Sequence, residues 1–320
     1  MGRVGTLARD RLKRVIPLVN RVTERAGVRV QPVHYYSEVP DRRGLRTERA
    51  SWARRVEIVG LTWSLDEQLA WLRSVCEPYA GEAAGLELWR GLGTDRGPGY
   101  GPIESVVLHS VVRSLAPARL VEVGSGVSTV ISRHAADRNA AEGRGTTTIT
   151  CVEPHPRDAL RALPGVEVVA RRAQDADDAV FAALGAGDVL FIDSTHTVRT
   201  GSELARLYLE VIPRLAPGVV VHIHDVVLPY LHQPDVLDSV FDWQESTLLA
   251  ALLTDNPRLR VLACESALHH DRPDELAALL PDYRPRALHD GLYVDDGVGG
   301  DGRRRHFPSS IWLERVGEAP

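Results

Sequence analysis

The chain has 320 residues, 44% hydrophobic and 25% charged, ordinary proportions for a globular protein that buries a sizeable core. No run reaches the ~20 apolar residues of a membrane span, and Val15–Val19 is cut by Asn20 and Arg21, so we expect no span, no signal peptide and a cytoplasmic setting. The net charge is −5, but residues 1–55 carry 14 basic and 5 acidic side chains. These lie among apolar positions without base-stacking aromatics, which suits a solvated helix face against an acidic body better than a nucleic-acid arm.

Lys13 is the single lysine beside 37 arginines, a bias that suits a GC-rich bacterial genome. Cys76, Cys151 and Cys264 have no metal-ligand or redox spacing and read as buried, reduced thiols.

In chain order, residues 1–95 look mainly helical and form an expected cap or lid. Ser64-Leu-Asp-Glu67 is a capping box, followed by Leu65, Leu69, Leu72 and Cys76 at helical spacing. The Gly/Pro-rich stretch Gly91–Pro102 reads as a hinge or loop. From residue 96 onward, apolar runs at 120–123, 147–153, 166–170, 189–193, 219–225 and 259–264 alternate with helical windows near 104–115, 128–137, 156–163, 175–184, 200–213 and 240–254. Continuous apolar strands alternating with helices predict a Rossmann-like α/β fold, a mostly parallel sheet with helices on both faces. Ser310–Arg315 has no helix after it and suits an antiparallel seventh strand. Segments 226–245 and 266–308 read as loops framing an acceptor pocket.

Leu120-Val-Glu-Val-Gly-Ser-Gly126 is a strand entering a glycine turn, with Ser128-Thr129 opening a helix. Such turns let a ligand approach the backbone closely. Two features argue against a dinucleotide: Thr129 stands where a third glycine would be, and Glu122 would repel a pyrophosphate. The same carboxylate suits a ligand bearing an ammonium and a sulfonium. Glu153 ends the next strand, where a ribose diol is commonly held.

Glu122-Val-Gly-Ser-Gly126, Glu153, Gln174-Asp175, Asp193 and His224-Asp225 resemble, in this order, the motifs of class I S-adenosylmethionine (SAM)-dependent methyltransferases. The segments 34–41 and 100–104 look like those preceding the core in a bacterial branch acting on small molecules. The resemblance implies that Glu122, Gly124, Ser125, Gly126 and Ser128 line the methionine part of SAM. By the same resemblance Glu153 holds the ribose and Gln174 and Asp175 sit by the adenine; Tyr100, Glu104 and Asp193 complete the cofactor set.

Asp193 and Asp225 end neighbouring strands at the carboxyl edge, where open α/β sheets bind ligands, with His196, His222 and His224 close by in sequence. Two chemistries suit them. A histidine titrating near neutrality, His196 or His224, oriented by Asp193, could be a general base. Alternatively Asp193, His224 and Asp225 could hold a divalent metal, as related metal-dependent O-methyltransferases do with oxygen ligands. His224 departs from that pattern, which disfavours Mg²⁺ and leaves Mn²⁺ or Zn²⁺. His222, inside an apolar strand, reads as a core residue.

The leading expectation is O-methylation of a small-molecule hydroxyl, on a sugar or secondary metabolite. The alternatives are an NAD-linked oxidoreductase or a non-catalytic SAM-binding regulator. A nucleic-acid substrate is disfavoured by the acidic core and the missing base-flipping motif. A homo-oligomer stays open.

Overall fold

The computed structural model describes residues 15–34, 36–61, 63–83, 100–280 and 282–317. Most of the stretch read as a hinge lies outside them, as does Tyr35. The chain divides into two compact units, Met1–Trp52 and Ala53–Pro320. The first contains a helix at 15–23 and two short helices, Arg42–Thr47 and Arg49–Trp52. Among the described residues no helix is long and apolar enough to cross a membrane.

The second unit is built on a seven-stranded sheet. Its strands are β1 (Arg119–Val123), β2 (Thr148–Val152), β3 (Val166–Val169), β4 (Val189–Ile192), β5 (Val220–His224), β6 (Leu259–Cys264) and, after a two-stranded hairpin of β7 (Leu288–His289) and β8 (Leu292–Tyr293), β9 (Ser310–Arg315). The order is β3-β2-β1-β4-β5-β9-β6. All pairings from β3 to β5 are parallel, whereas β9 runs antiparallel to both β5 and β6. The order reverses beside β1 and β4, so the carboxyl ends of those strands flank a crevice.

Both faces are covered, which is why the parallel strands are apolar throughout. On one face Leu120, Ile149, Val189, Phe191 and Val220 pack against α1 (Leu65–Cys76), α2 (Pro102–Leu115) and α3 (Val127–Ala141). α1 starts where the Ser64 hydroxyl accepts from the Glu67 N–H at 3.2 Å, and it buries Leu69, Leu72, Val75 and Cys76. The other face sets Val121, Val123, Leu190, Ile192, Val221 and Ile223 against α4 (Glu203–Arg206), its π-helical continuation Leu207–Val211 and α5 (Glu245–Leu253). Phe191 is fully buried; cutting it to alanine costs about 3 to 5 kcal/mol. The three cysteines are free and buried.

Segment 266–308, read from sequence as loop, is more structured than that. It carries most of α6 (Glu265–Asp271), α7 (Pro273–Leu279) and the β7–β8 hairpin. Leu268, Leu276 and Leu279 bury themselves in the first core, and that packing makes helices of a stretch interrupted by His269, His270 and Pro273.

Candidate functional site

The turn after β1 is fixed mostly by backbone. Gly124 has φ +91°, and a β-carbon there would collide with the Asp193 carbonyl oxygen, so only glycine fits. The Gly124 N–H donates to Val152 O at 3.1 Å and the Asp193 N–H to Val123 O at 2.9 Å. The ends of β1, β2 and β4 are thereby drawn together. Thr129 starts α3 by accepting from the Gly126 N–H at 3.1 Å.

Around this turn the expected cofactor residues divide. The half-buried Glu153 carboxylate stands at the end of β2, accepting from the Ser125 hydroxyl at 3.3 Å and the His155 N–H at 2.8 Å. Glu122 lies beneath the turn, 1% exposed, and accepts from the Ser128 hydroxyl at 2.5 Å and from the Cys151 thiol. Burial pushes its carboxyl up to about 7, against the hydrogen bond from Ser128. Gln174 donates to Gly201 O at 2.8 Å, and Asp175 pairs with Arg172 on the surface. Tyr100 is buried, its hydroxyl 3.1 Å from His222 Nε2 and its ring 4.7 Å from that of His224. Glu104 is also buried; it accepts from the Ser309 N–H at 3.1 Å, while the Ser309 hydroxyl donates to Asp225 at 3.0 Å.

At the ends of β4 and β5, Asp193, His196 and Asp225 converge. His196 Nε2 is 3.3 Å from Asp193 Oδ1 and 3.4 Å from Asp225 Oδ2; one donor atom from each of the three lies within 4.8 Å of the others. His196 and Asp225 both take left-handed backbone conformations, φ +56° and +55°. That geometry is costly for non-glycine residues and gathers at functional sites. His224 Nδ1 is 3.6 Å from each aspartate, too far for a good hydrogen bond, and both its ring nitrogens are buried without a hydrogen-bond partner.

Behind His196 lies a second layer that the sequence did not reveal. His196 Nδ1 is 2.7 Å from Glu245 Oε2, and the Tyr208 hydroxyl donates to Glu245 Oε1 at 2.8 Å. Trp243 packs its ring 4.9 Å from His196. An acid such as Glu245 in the first turn of a helix has an ordinary reading as a partner of the helix dipole, and no spacing ties it to His196. Ser309 likewise gave no signal.

The expectation of a histidine titrating near neutrality does not hold. Burial would lower His196, but hydrogen bonds to Asp193 and Glu245 and the charges of Glu245 and Asp225 outweigh it and raise it to about 10. His224 is raised well above the usual range, the aspartates again overriding burial. In return, Asp193 and Asp225 are held below the usual carboxylate range despite burial, chiefly by the His224 charge. Three carboxylates around His196 thus keep a cation in place.

The site suits two groups. The Gly124-Ser125-Gly126 turn and the half-exposed Glu153 at the switch point offer a glycine-flanked cradle with a carboxylate for a diol, as SAM requires. The 3.3 and 3.4 Å separations resemble the edges of a coordination polyhedron, since ligands ~2.1 Å from an ion at roughly right angles lie about 3 Å apart. The structure draws His196 into this set with Asp193 and Asp225, in the place expected for His224, which stands beside them.

Residues 121–226 match the family model described as a methyltransferase domain. Together with the strand order, this match makes the segment the core of a class I SAM-dependent methyltransferase domain. Among solved structures the chain is similar to the SAH-bound methyltransferase of Podospora anserina, at 16% identity, covering 72% of this chain and 93% of that one, with a TM-score of 0.37. The O-methyltransferase of Bacillus cereus in complex with SAH is 16% identical over 57% of this chain and 82% of that one, TM-score 0.36. A further similar chain, from Thermobifida fusca and described as a putative methyltransferase, is 12% identical over 82% and 96%, TM-score 0.33. No curated protein matches the chain.

Proposed function

We propose that this methyltransferase moves the SAM methyl group to the hydroxyl oxygen of a small molecule, a sugar or secondary metabolite, at a centre of Asp193, His196 and Asp225 that holds a divalent cation. The observation that carries this reading is the convergence of those three donors within 4.8 Å at the carboxyl edge, one strand from the glycine turn. A cation there would stabilise the acceptor oxygen as an anion.

In this reading the Gly124–Gly126 turn and Glu153 hold SAM. Asp193, tied by its backbone to Val123, sets the distance between cofactor and acceptor for in-line transfer. Glu122 acts through the turn, by holding Ser128, while Gln174 and Asp175 border the adenine. Tyr100 and Glu104 act from behind, on the His222–His224 strand and on Ser309. With a cation on Nε2, His196 would not be a free base; the cation would make the acceptor hydroxyl acidic, so that its proton could pass to water. Segments 226–245 and 266–308 border the acceptor, a placement supported by the Tyr293 N–H bond to Pro234 O at 3.1 Å that joins them. Of the cap expected over 1–95, α1 lies in the second unit and packs into its core, so the proposed cofactor domain includes α1 as well as 96–320.

The test is conversion of SAM to SAH with a panel of hydroxylated small molecules, after chelation and after Mn²⁺ or Mg²⁺ is restored. Turnover that needs both a hydroxyl acceptor and the ion supports the reading; turnover unaffected by chelation removes the cation from it. A protein that binds SAM but methylates nothing in such a panel would point to the regulatory alternative.

A further inference from the structure

From the buried chain Tyr208–Glu245–His196 we infer that Glu245 is a positioning residue, which fixes the His196 ring so that Nε2 faces Asp193 and Asp225. The inference deepens the proposed cation centre and rests on that reading for the identity of what Nε2 meets, but not for the orientation of the ring.

Glu245 is 1% exposed and Tyr208 is fully buried. A carboxylate in such a place is costly unless its oxygens are satisfied. Here both are, one by the Tyr208 hydroxyl at 2.8 Å and one facing His196 Nδ1 at 2.7 Å. Glu245 accepts from Nδ1–H, which leaves Nε2 as the ring atom turned to the two aspartates. Carboxylates behind a metal-bound imidazole do this generally: they set the ring's orientation and raise its basicity.

The elements that carry the chain are unusual in ways this role explains. Tyr208 belongs to the π-helical turn Leu207–Val211, a local distortion common at functional sites. His196 holds a left-handed backbone angle, and its carbonyl accepts from the Gln244 N–H at 3.0 Å. The residue before Glu245 thus clamps the main chain of the same histidine. Tyr208 and α5 lie on one face of the sheet, whereas Tyr100, its ring 4.7 Å from that of His224, lies on the other. Glu245 is therefore the arm by which the α5 face reaches the centre.

The test uses the full-length protein with Mn²⁺ as the probe, and the Glu245→Gln and Tyr208→Phe variants. Mn²⁺ electron spin resonance measures affinity, and the ¹⁴N modulation of its echo reports the imidazole ligand. We expect Glu245→Gln to weaken Mn²⁺ binding about 10- to 100-fold with loss of ¹⁴N modulation, Tyr208→Phe to weaken it less, and SAM affinity by calorimetry to change little in either. Thermal unfolding confirms that each variant is folded; if Glu245→Gln is not, Tyr208→Phe decides. Unchanged Mn²⁺ affinity and modulation in the folded variants would overturn the positioning role. Proton NMR separates this from the cation reading: the wild type should show a slowly exchanging His196 Nδ1–H, lost in Glu245→Gln. If the wild type binds no Mn²⁺ yet shows that proton, the cation reading fails and the positioning role stands. If the proton is absent, the positioning role fails whatever binds.

Discussion

The two halves of the carboxyl edge are built differently. At the end of β1 the working parts are mainly backbone: Gly124 at φ +91° against the Asp193 carbonyl, with Glu153 the one carboxylate standing half in the open. At the ends of β4 and β5 they are side chains under mutual electrostatic tension, His196 among Asp193, Asp225 and Glu245. The first half is held by backbone hydrogen bonds between strand ends. The second is held by charge, so each member's removal is felt by the others. The two touch at Asp193, whose main chain belongs to the turn and whose side chain belongs to the centre.

The largest expected effect breaks the charged half. Asp193→Ala removes a ligand and one of the carboxylates that face His196 and His224; we expect methyl transfer to fall on the order of a hundred- to a thousandfold, about 3 to 4 kcal/mol, read as SAH formed per minute. Glu153→Ala strikes the other half. A charged hydrogen bond of about 1.5 to 3 kcal/mol predicts SAM binding roughly 10- to 100-fold weaker by calorimetry, with turnover at saturating SAM nearly kept. Equal loss of turnover in both variants would erase the contrast between the halves. Gly124→Ala tests their junction: strain and the collision with Asp193 should cost about 1 to 3 kcal/mol of stability, seen as a lower denaturation midpoint.

The smallest effect concerns the scaffold beneath each half. Burial lowers His109, on α2, to about 4 and His269, on α6, to about 3. Their folded values lie below the unfolded one near 6.5, so the unfolded chain takes up protons first as pH falls. Stability from these sites is whole above about pH 6.5 and declines below it, until the folded histidines also protonate near pH 4 and pH 3. Between pH 7 and pH 5 we expect a loss on the order of 1 to 2 kcal/mol for each, measurable by urea unfolding and halved when either histidine is replaced. Stability unchanged over that range would show the two rings to be solvated.

The turn at the end of β1 was legible because its parts are contiguous. Five residues from Glu122 to Gly126 carry the turn, and buried parallel strands such as Val189–Ile192 announce themselves as unbroken apolar runs. Ser310–Arg315 was legible as a last strand without a following helix. The charged half was only half legible. Asp193 and Asp225 stood out at strand ends, but Glu245 lies 49 residues beyond His196, and no periodicity links a helix start to a histidine on another loop. The titration of His196 was unreadable for the same reason, since it depends on carboxylates from three separate elements. Helices α6 and α7 escaped because packing of Leu268, Leu276 and Leu279 outweighs a locally ambiguous sequence.

The most direct test of the central claim is anomalous scattering from crystals grown with SAH and Mn²⁺. The account predicts a single ion peak bounded by Asp193, His196 and Asp225, with the SAH ribose on Glu153 and its sulfur directed toward the ion. A well-ordered SAH with no ion at those three residues, or with the ion bound elsewhere, would contradict it.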